Sequence, residues 1–251
     1  MKKKVGLIGC GAIGTVLAEA IERKIVVCDE LVIFDVDAAK AEKLKDSLKF
    51  PVKIMPNVDE LLASKPSIVV EAASQQAVRE YYNKILAANI DFIIMSTGAL
   101  LDLNTNTPKL HFPSGAIGGL DAISPAALAG ISEVTLTTRK PPKALGKTNS
   151  QEETVYEGYA EEAARQFPRE MNVAATLALT VKPAKVKVQV VSDPTVLRNT
   201  HQIHVKWRYG EMTMQFANDP HPGNPHTSAL AAWSAINLLK SQLEKNQTNL
   251  F

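Results

Sequence analysis

Val5-Gly6-Leu7-Ile8-Gly9-Cys10-Gly11-Ala12-Ile13-Gly14 runs a short apolar segment straight into the spacing G-x-G-x-x-G. That order predicts a strand, a tight turn and a helix. Gly9 makes the turn, Gly11 lets the backbone approach a pyrophosphate, and Gly14 lets the helix pack close to the sheet. Ala12 and Ile13 lie between the last two glycines and count with them as cofactor-binding residues. A helix expected over 15–24 presents the positive end of its dipole to the anion. Glycine-rich turns also occur without a ligand, so the sequence that follows has to decide.

A dinucleotide fold places an acid about 20 residues beyond the turn, at the end of the second strand. Here Glu30-Leu31-Val32-Ile33-Phe34 ends in Asp35, a carboxylate able to hold the adenosine ribose hydroxyls. Asp37 follows, with no arginine beside it to receive a 2'-phosphate. Two carboxylates repel that group, so NAD is favoured, with NADP as the second cofactor to test. A solvated turn residue is the alternative reading of Asp35.

The strands then alternate with helices expected over 38–48, 58–62 and 76–88. The runs 67–73 and 92–96 are continuously apolar, as strands buried on both faces of a parallel sheet are. Each stops at small or polar residues, Ala73-Ser74 and Ser96-Thr97-Gly98, where the carboxyl-end loops of a doubly wound sheet meet a cofactor. Ala73 and Ser96 are therefore expected to line its nicotinamide half.

Past residue 120 the pattern changes. The segments 133–138 and 185–191 alternate apolar and polar residues, the mark of a sheet with one wet face. A turn at Tyr209-Gly210-Glu211 makes a hairpin of 202–208 and 212–217. Residues 144–153 read as a polar loop and 219–225 as a proline-rich connector. Helical spacing returns from 227, with Thr227 or Ser228 as its N-cap. The fold class is α/β: a Rossmann-type doubly wound parallel sheet over 1–120, joined by a C-terminal helix within 227–251, and an α+β domain on a largely antiparallel sheet over 121–226.

The chain has 251 residues, 45% hydrophobic and 22% charged, with a net charge of +2. Its lysines and arginines are spread without aromatic interleaving, which argues against nucleic acid as a partner. No stretch reaches the ~20 apolar residues of a membrane span. With only Cys10 and Cys28, a reducing cytoplasm is the expected setting, and Cys10 reads as a small filler.

Hydride chemistry needs a proton donor or acceptor and cationic clamps for acidic groups. Among the five histidines, strand parity puts His201 on the apolar face with Ile203, Val205 and Trp207, and His204 on the wet face with Lys206 and Arg208. His201 follows an irregular segment and can look into a cleft to exchange a proton near neutral pH; a hydrogen-bonded core histidine is the alternative. Asp219, His221 and His226 match no familiar metal-ligand spacing, so no metal is expected. His111 reads as a packing residue. Arg139, Lys140 and Lys143 cluster around two prolines, and Arg198 stands beside Asn199; both are candidate carboxylate clamps, with a solvated basic turn as the alternative for Arg139.

Several blocks together resemble the L-aspartate dehydrogenase family: Phe112-Pro113-Ser114-Gly115-Ala116-Ile117-Gly118-Gly119-Leu120-Asp121, Lys140-Pro141-Pro142-Lys143-Ala144-Leu145-Gly146, Phe167-Pro168-Arg169 with Met171-Asn172-Val173-Ala174-Ala175-Thr176, Asp193-Pro194 through Asn199-Thr200-His201, and Asn224-Pro225-His226-Thr227-Ser228. They span nearly the whole chain in the expected order. The resemblance implies that His201 is the active-site residue and that Ala116 and Asn172 contact NAD. It implies oxidative deamination of L-aspartate to iminoaspartate, which gives oxaloacetate and ammonia or feeds NAD biosynthesis. On that basis Lys140, Lys143, Arg198 and Asn199 are the candidate substrate residues. Separately, the one-faced sheet of the second domain needs a cover, and a homodimer through it is expected. Two other readings stand beside it: a dehydrogenase of another amino or keto acid, and a dinucleotide-binding regulator without turnover.

Overall fold

The computed structural model describes residues 3–168, 171–221 and 224–244, with the side chains of 221 and 224–227 outside the description. The chain divides into two compact units, Met1–Pro113 with Ala232–Phe251, and Ser114–Ala231.

The first unit alternates β1 (Lys4–Ile8), α1 (Ala12–Glu22), β2 (Glu30–Phe34), α2 (Ala38–Asp46), β3 (Val52–Ile54), α3 (Val58–Ala63), β4 (Ile68–Glu71), α4 (Gln75–Ala87), β5 (Asp91–Ile94) and β6 (Leu110–His111). These strands form a six-stranded sheet in the order β3-β2-β1-β4-β5-β6, parallel at every pairing. The order reverses at β1, which makes the crevice at the carboxyl ends of β1 and β4 a topological switch point. Leu7, Leu31, Ile33, Val69 and Ile93 are fully buried in this sheet. The helices start on side-chain caps: Asp37 accepts from Ala39 N, Asn57 from Glu60 N and Ser74 from Ala77 N. α1 is the exception, with Gly11 at its N-cap and no side-chain cap.

The helix expected over 15–24 thus begins three residues earlier, because Gly11 itself starts it and Gly14 falls within its first turn. The helix stops short of Lys24, which adopts a left-handed φ of 58°. The strands β3 and β6 are three and two residues long, too short to show a pattern in the sequence.

The second unit holds α5 (Leu120–Ala129), β7 (Ile131–Lys140), β8 (Glu153–Tyr159), α6 (Ala160–Gln166), α7 (Asn172–Val181), β9 (Val186–Ser192), β10 (Asn199–Trp207), β11 (Gly210–Asn218), β12 (Pro220–His221) and β13 (Asn224–Ser228). Its five-stranded sheet runs β11-β10-β7-β9-β8; β7 and β9 are parallel and the other pairs antiparallel. Val134, Leu136, Val188, Ile203 and Val205 point to the buried face, which α5, α6 and α7 cover. The opposite face carries Thr135, Thr137, Gln202 and His204, half-buried or exposed.

Three expectations shift here. The hairpin turn is Arg208-Tyr209, because Trp207 pairs with Gly210. The polar loop contains a 3₁₀ turn at Pro142–Leu145 and gives way to β8. The connector pairs β12 with β13, so α8 (Ala229–Leu243) starts two residues later than expected, with Ser228 Oγ accepting from Leu230 N. The rest of the expected helix, 245–251, lies outside the described residues.

Candidate active site

The glycine turn is fixed by backbone contacts. Gly9 has φ +100°, and a Cβ there would lie 2.6 Å from the Ala72 carbonyl oxygen. A Cβ on Gly14 would lie 2.1 Å from the Gly9 oxygen, whereas one on Gly11 would meet nothing within 4 Å. Gly9 and Gly14 are thus demanded by the fold. Gly11 faces open space at an uncapped helix N-terminus, where Ala12 and Ile13 form the first turn of α1. This is the cradle a pyrophosphate needs. Asp35 stands beside it: one carboxylate oxygen accepts from Cys10 N at 2.7 Å and the other from Asp37 N at 2.9 Å. The side chain is held at the tip of β2 by the turn itself, where a dinucleotide fold places an acid. Donor turn, open approach and acid all fit a dinucleotide.

Burial, then the Asp35 charge, pushes the Cys10 thiol up to about 12, so it stays protonated and acts as filler. Burial likewise raises Cys28 to about 11.

At the carboxyl ends of β4 and β5 the structure adds a residue that sequence reasoning passed over. Glu71 is completely buried at the last position of β4. Its Oε1 accepts from Ala73 N at 2.7 Å and Ser96 Oγ at 2.9 Å, and its Oε2 from Ser96 N at 3.0 Å. Burial raises its carboxyl above the ordinary range, and the donors from Ser96, Ala73 and Ser74 oppose that rise. Ala73 is exposed and Ser96 buried. The signal lay in a carboxylate ending an otherwise apolar run, where a buried charge demands partners.

In the second unit, β-sheet register brings His201 and Thr138 opposite each other. His201 is 7% exposed, and its Nδ1 lies 3.0 Å from Thr138 Oγ1. Burial, reinforced by the charge of Lys140 on the same strand face as Thr138, lowers His201 to about 4. The imidazole is neutral at neutral pH. The parity reading holds along β10: His201, Ile203 and Val205 are buried, while His204 is half-exposed with Nδ1 3.0 Å from Thr213 Oγ1.

The cationic candidates are placed differently from one another. Arg139 is paired within the unit: its Nη1 lies 2.6 Å from Glu152 and 3.0 Å from the buried Asp193. Arg198 Nε is 3.5 Å from Asp219, both half-exposed or more. Lys143 is exposed on the 3₁₀ turn, and Asn199 opens β10 opposite Asn218. Asn218 Nδ2 donates to the Ala116 carbonyl at 2.8 Å, tying Ala116 to β11, and Asn172 is the first residue of α7. His111 Nε2 lies 2.8 Å from Asp91 at the sheet edge. The side chains of His221 and His226 lie outside the described residues. Among the described residues no three His, Cys, Asp or Glu groups gather as a metal site, and no helix is long and apolar enough to cross a membrane.

Fold and glycine turn together define a dinucleotide-binding protein of the Rossmann class. Residues 9–111 match the NAD binding domain of homoserine dehydrogenase and residues 121–242 the C-terminal domain of aspartate dehydrogenase. L-aspartate dehydrogenase of Methanosarcina barkeri is 39% identical, with 97% of this chain and 98% of that protein covered. That of Archaeoglobus fulgidus is 40% identical over 96% and 98%. The crystal structure of aspartate dehydrogenase from Thermotoga maritima superposes with TM-score 0.79 and 30% identity, covering 100% of this chain and 99% of that one. The chain belongs to the L-aspartate dehydrogenase family.

Proposed function

We propose that this chain oxidises L-aspartate with NAD, reversibly, to iminoaspartate, which water converts to oxaloacetate and ammonia. The observation that carries the reading is the match to L-aspartate dehydrogenases along both units, 97% of the chain for the Methanosarcina barkeri protein. A bound nicotinamide would supply the acceptor for the hydride of aspartate Cα, two electrons with the hydrogen nucleus, as the amine nitrogen becomes the imine.

The residues of this chain do the rest. Gly9, Gly11, Ala12, Ile13 and Gly14 cradle the pyrophosphate and Asp35 holds the adenosine ribose. Asp35 is followed by a second carboxylate, Asp37, with no arginine beside them in the sequence to receive a 2'-phosphate, which supports NAD over NADP. Ala73 and Ser96 shape the nicotinamide end, with Ala116 and Asn172 as further cofactor contacts. His201 handles protons: the amine must be neutral before Cα gives up a hydride, and the water that attacks the imine must lose one. To act as a base His201 carries its proton on Nδ1, donated to Thr138 Oγ1, which leaves the Nε2 lone pair available. Lys140, Lys143, Arg198 and Asn199 are the groups proposed to hold the substrate carboxylates; Arg198 must exchange Asp219 for the substrate to do so.

The product imine suits a supply role for pyridine nucleotide biosynthesis. Two free cysteines suit a reducing cytoplasm. The wet sheet face with Thr135, Thr137 and Gln202 supports a homodimer, which sedimentation would report as twice the 27.2 kDa chain mass. The test of function is absorbance at 340 nm with NAD or NADP and L-aspartate, then with NADH, oxaloacetate and ammonia. Turnover of neutral amino acids in place of aspartate would overturn the substrate assignment.

A further inference from the structure

We infer that Glu71 is a positioning residue for the nicotinamide half of the cofactor site, holding in one arrangement the loops that follow β4 and β5. The inference rests on the NAD-binding reading above.

A carboxyl group with no exposure at the end of a central parallel strand is costly to bury unless it is fully bonded. Glu71 meets that demand with donors from two loops, Ala73 in its own and Ser96 in one 25 residues from Glu71 in sequence. Ala73 N reaches one oxygen and Ser96 N the other, so neither loop can shift without unsatisfying a buried group. Both loops are also fitted to their neighbours. Ala72 and Ala73 press on the turn at Gly9, as the 2.6 Å and 2.8 Å distances from a Gly9 Cβ to Ala72 O and Ala73 N show. Gly98 lies under Gln75, whose Nε2 would be 1.9 Å from a Gly98 Cβ. Glu71 therefore sits beneath three adjoining carboxyl-end loops, and it is their shared acceptor for two of them.

The chemistry asks for glutamate specifically. Each oxygen faces a backbone N–H, a donor that cannot reverse its role. A glutamine has one oxygen and one NH2, so either orientation of its amide sets a donor against a donor. Glu71→Gln keeps the volume and loses the fit at one loop.

The experiment separates placement of the nicotinamide from general damage. Binding of NADH and of ADP-ribose, which has the pyrophosphate and both riboses but no nicotinamide, is titrated on wild-type protein, Glu71→Gln and Ser96→Ala. In Glu71→Gln the NADH dissociation constant is expected to rise about tenfold and that of ADP-ribose less than about twofold, because the pyrophosphate cradle at Gly11 is left in place. Ser96→Ala, which removes one of the donors, should move NADH binding the same way by a smaller factor, and it answers the question alone if Glu71→Gln does not fold. Equal weakening of both ligands, or no change in either, overturns the positioning role. Wild-type protein that binds neither ligand overturns the NAD reading itself.

Discussion

The two units carry the residues of the proposed chemistry on different materials. In the first, the proposed cofactor site is mostly backbone: a left-handed glycine, an open approach at Gly11 and the start of α1, all within residues 9–14. In the second, the pair proposed to react is two side chains 63 residues apart, Thr138 and His201, made neighbours by register between β7 and β10. A backbone site is written locally, since only glycine tolerates its geometry. A side-chain site exists only once the sheet has formed, and its chemistry is set by burial.

The largest effect should come from the side-chain half. His201→Ala is expected to lower kcat by about 10²–10⁴-fold while the NADH dissociation constant stays within about twofold, measured by steady-state kinetics and fluorescence titration. If binding and turnover fell together, the division between the halves would fail.

The backbone half can be split further. Gly14→Ala forces a Cβ to 2.1 Å from the Gly9 oxygen and should cost on the order of 3 kcal/mol of stability. Gly11→Ala has space and should fold with its melting temperature nearly unchanged, yet lose most NADH affinity, because its methyl group occupies the path of the pyrophosphate. Equal thermal stability of the two variants would contradict the assignment of one glycine to the fold and the other to the ligand.

His201 also ties stability to pH. Its folded pKa of about 4 lies below the ordinary 6.5, so between those values the unfolded chain binds more protons and stability rises with pH. The contribution is complete above pH 6.5 and lost as pH falls towards 4, at most about 3 kcal/mol. Urea unfolding of wild type and His201→Asn across that window should show the variant's curve flatter by that amount; parallel curves would mean that His201 is not buried neutral.

A smaller change is expected at the rim of the backbone site. Asp35→Ser should reduce the preference for NAD over NADP about tenfold in kcat/KM, since the serine neither bonds two ribose hydroxyls nor repels a phosphate. An unchanged ratio would remove Asp35 from cofactor selection.

The same contrast explains what the sequence could reveal. The parallel sheet was legible in its apolar runs and the cofactor turn in three glycines, and parity alone put His201 inward and His204 outward. The helix starting at Gly11 was misplaced because a glycine can cap a helix without any side-chain signal. Short strands such as β3 and β6 left no period to read. Arg139 read as a clamp candidate or a solvated basic turn; its partners Glu152 and Asp193 are distant in sequence, and only the folded strands bring them together. Glu71 was visible as an acid ending an apolar strand; its two-loop bonding was not, because Ser96 comes from the neighbouring strand.

The most direct test of the whole reading follows the transferred atom. L-aspartate deuterated at Cα is incubated with NAD and the protein, and the NADH is analysed by mass spectrometry. Deuterium in the nicotinamide ring, with turnover of wild-type protein and little from His201→Ala, is the predicted result. NADH that forms without deuterium, or no NADH from aspartate while another amino acid yields it, would contradict the proposal.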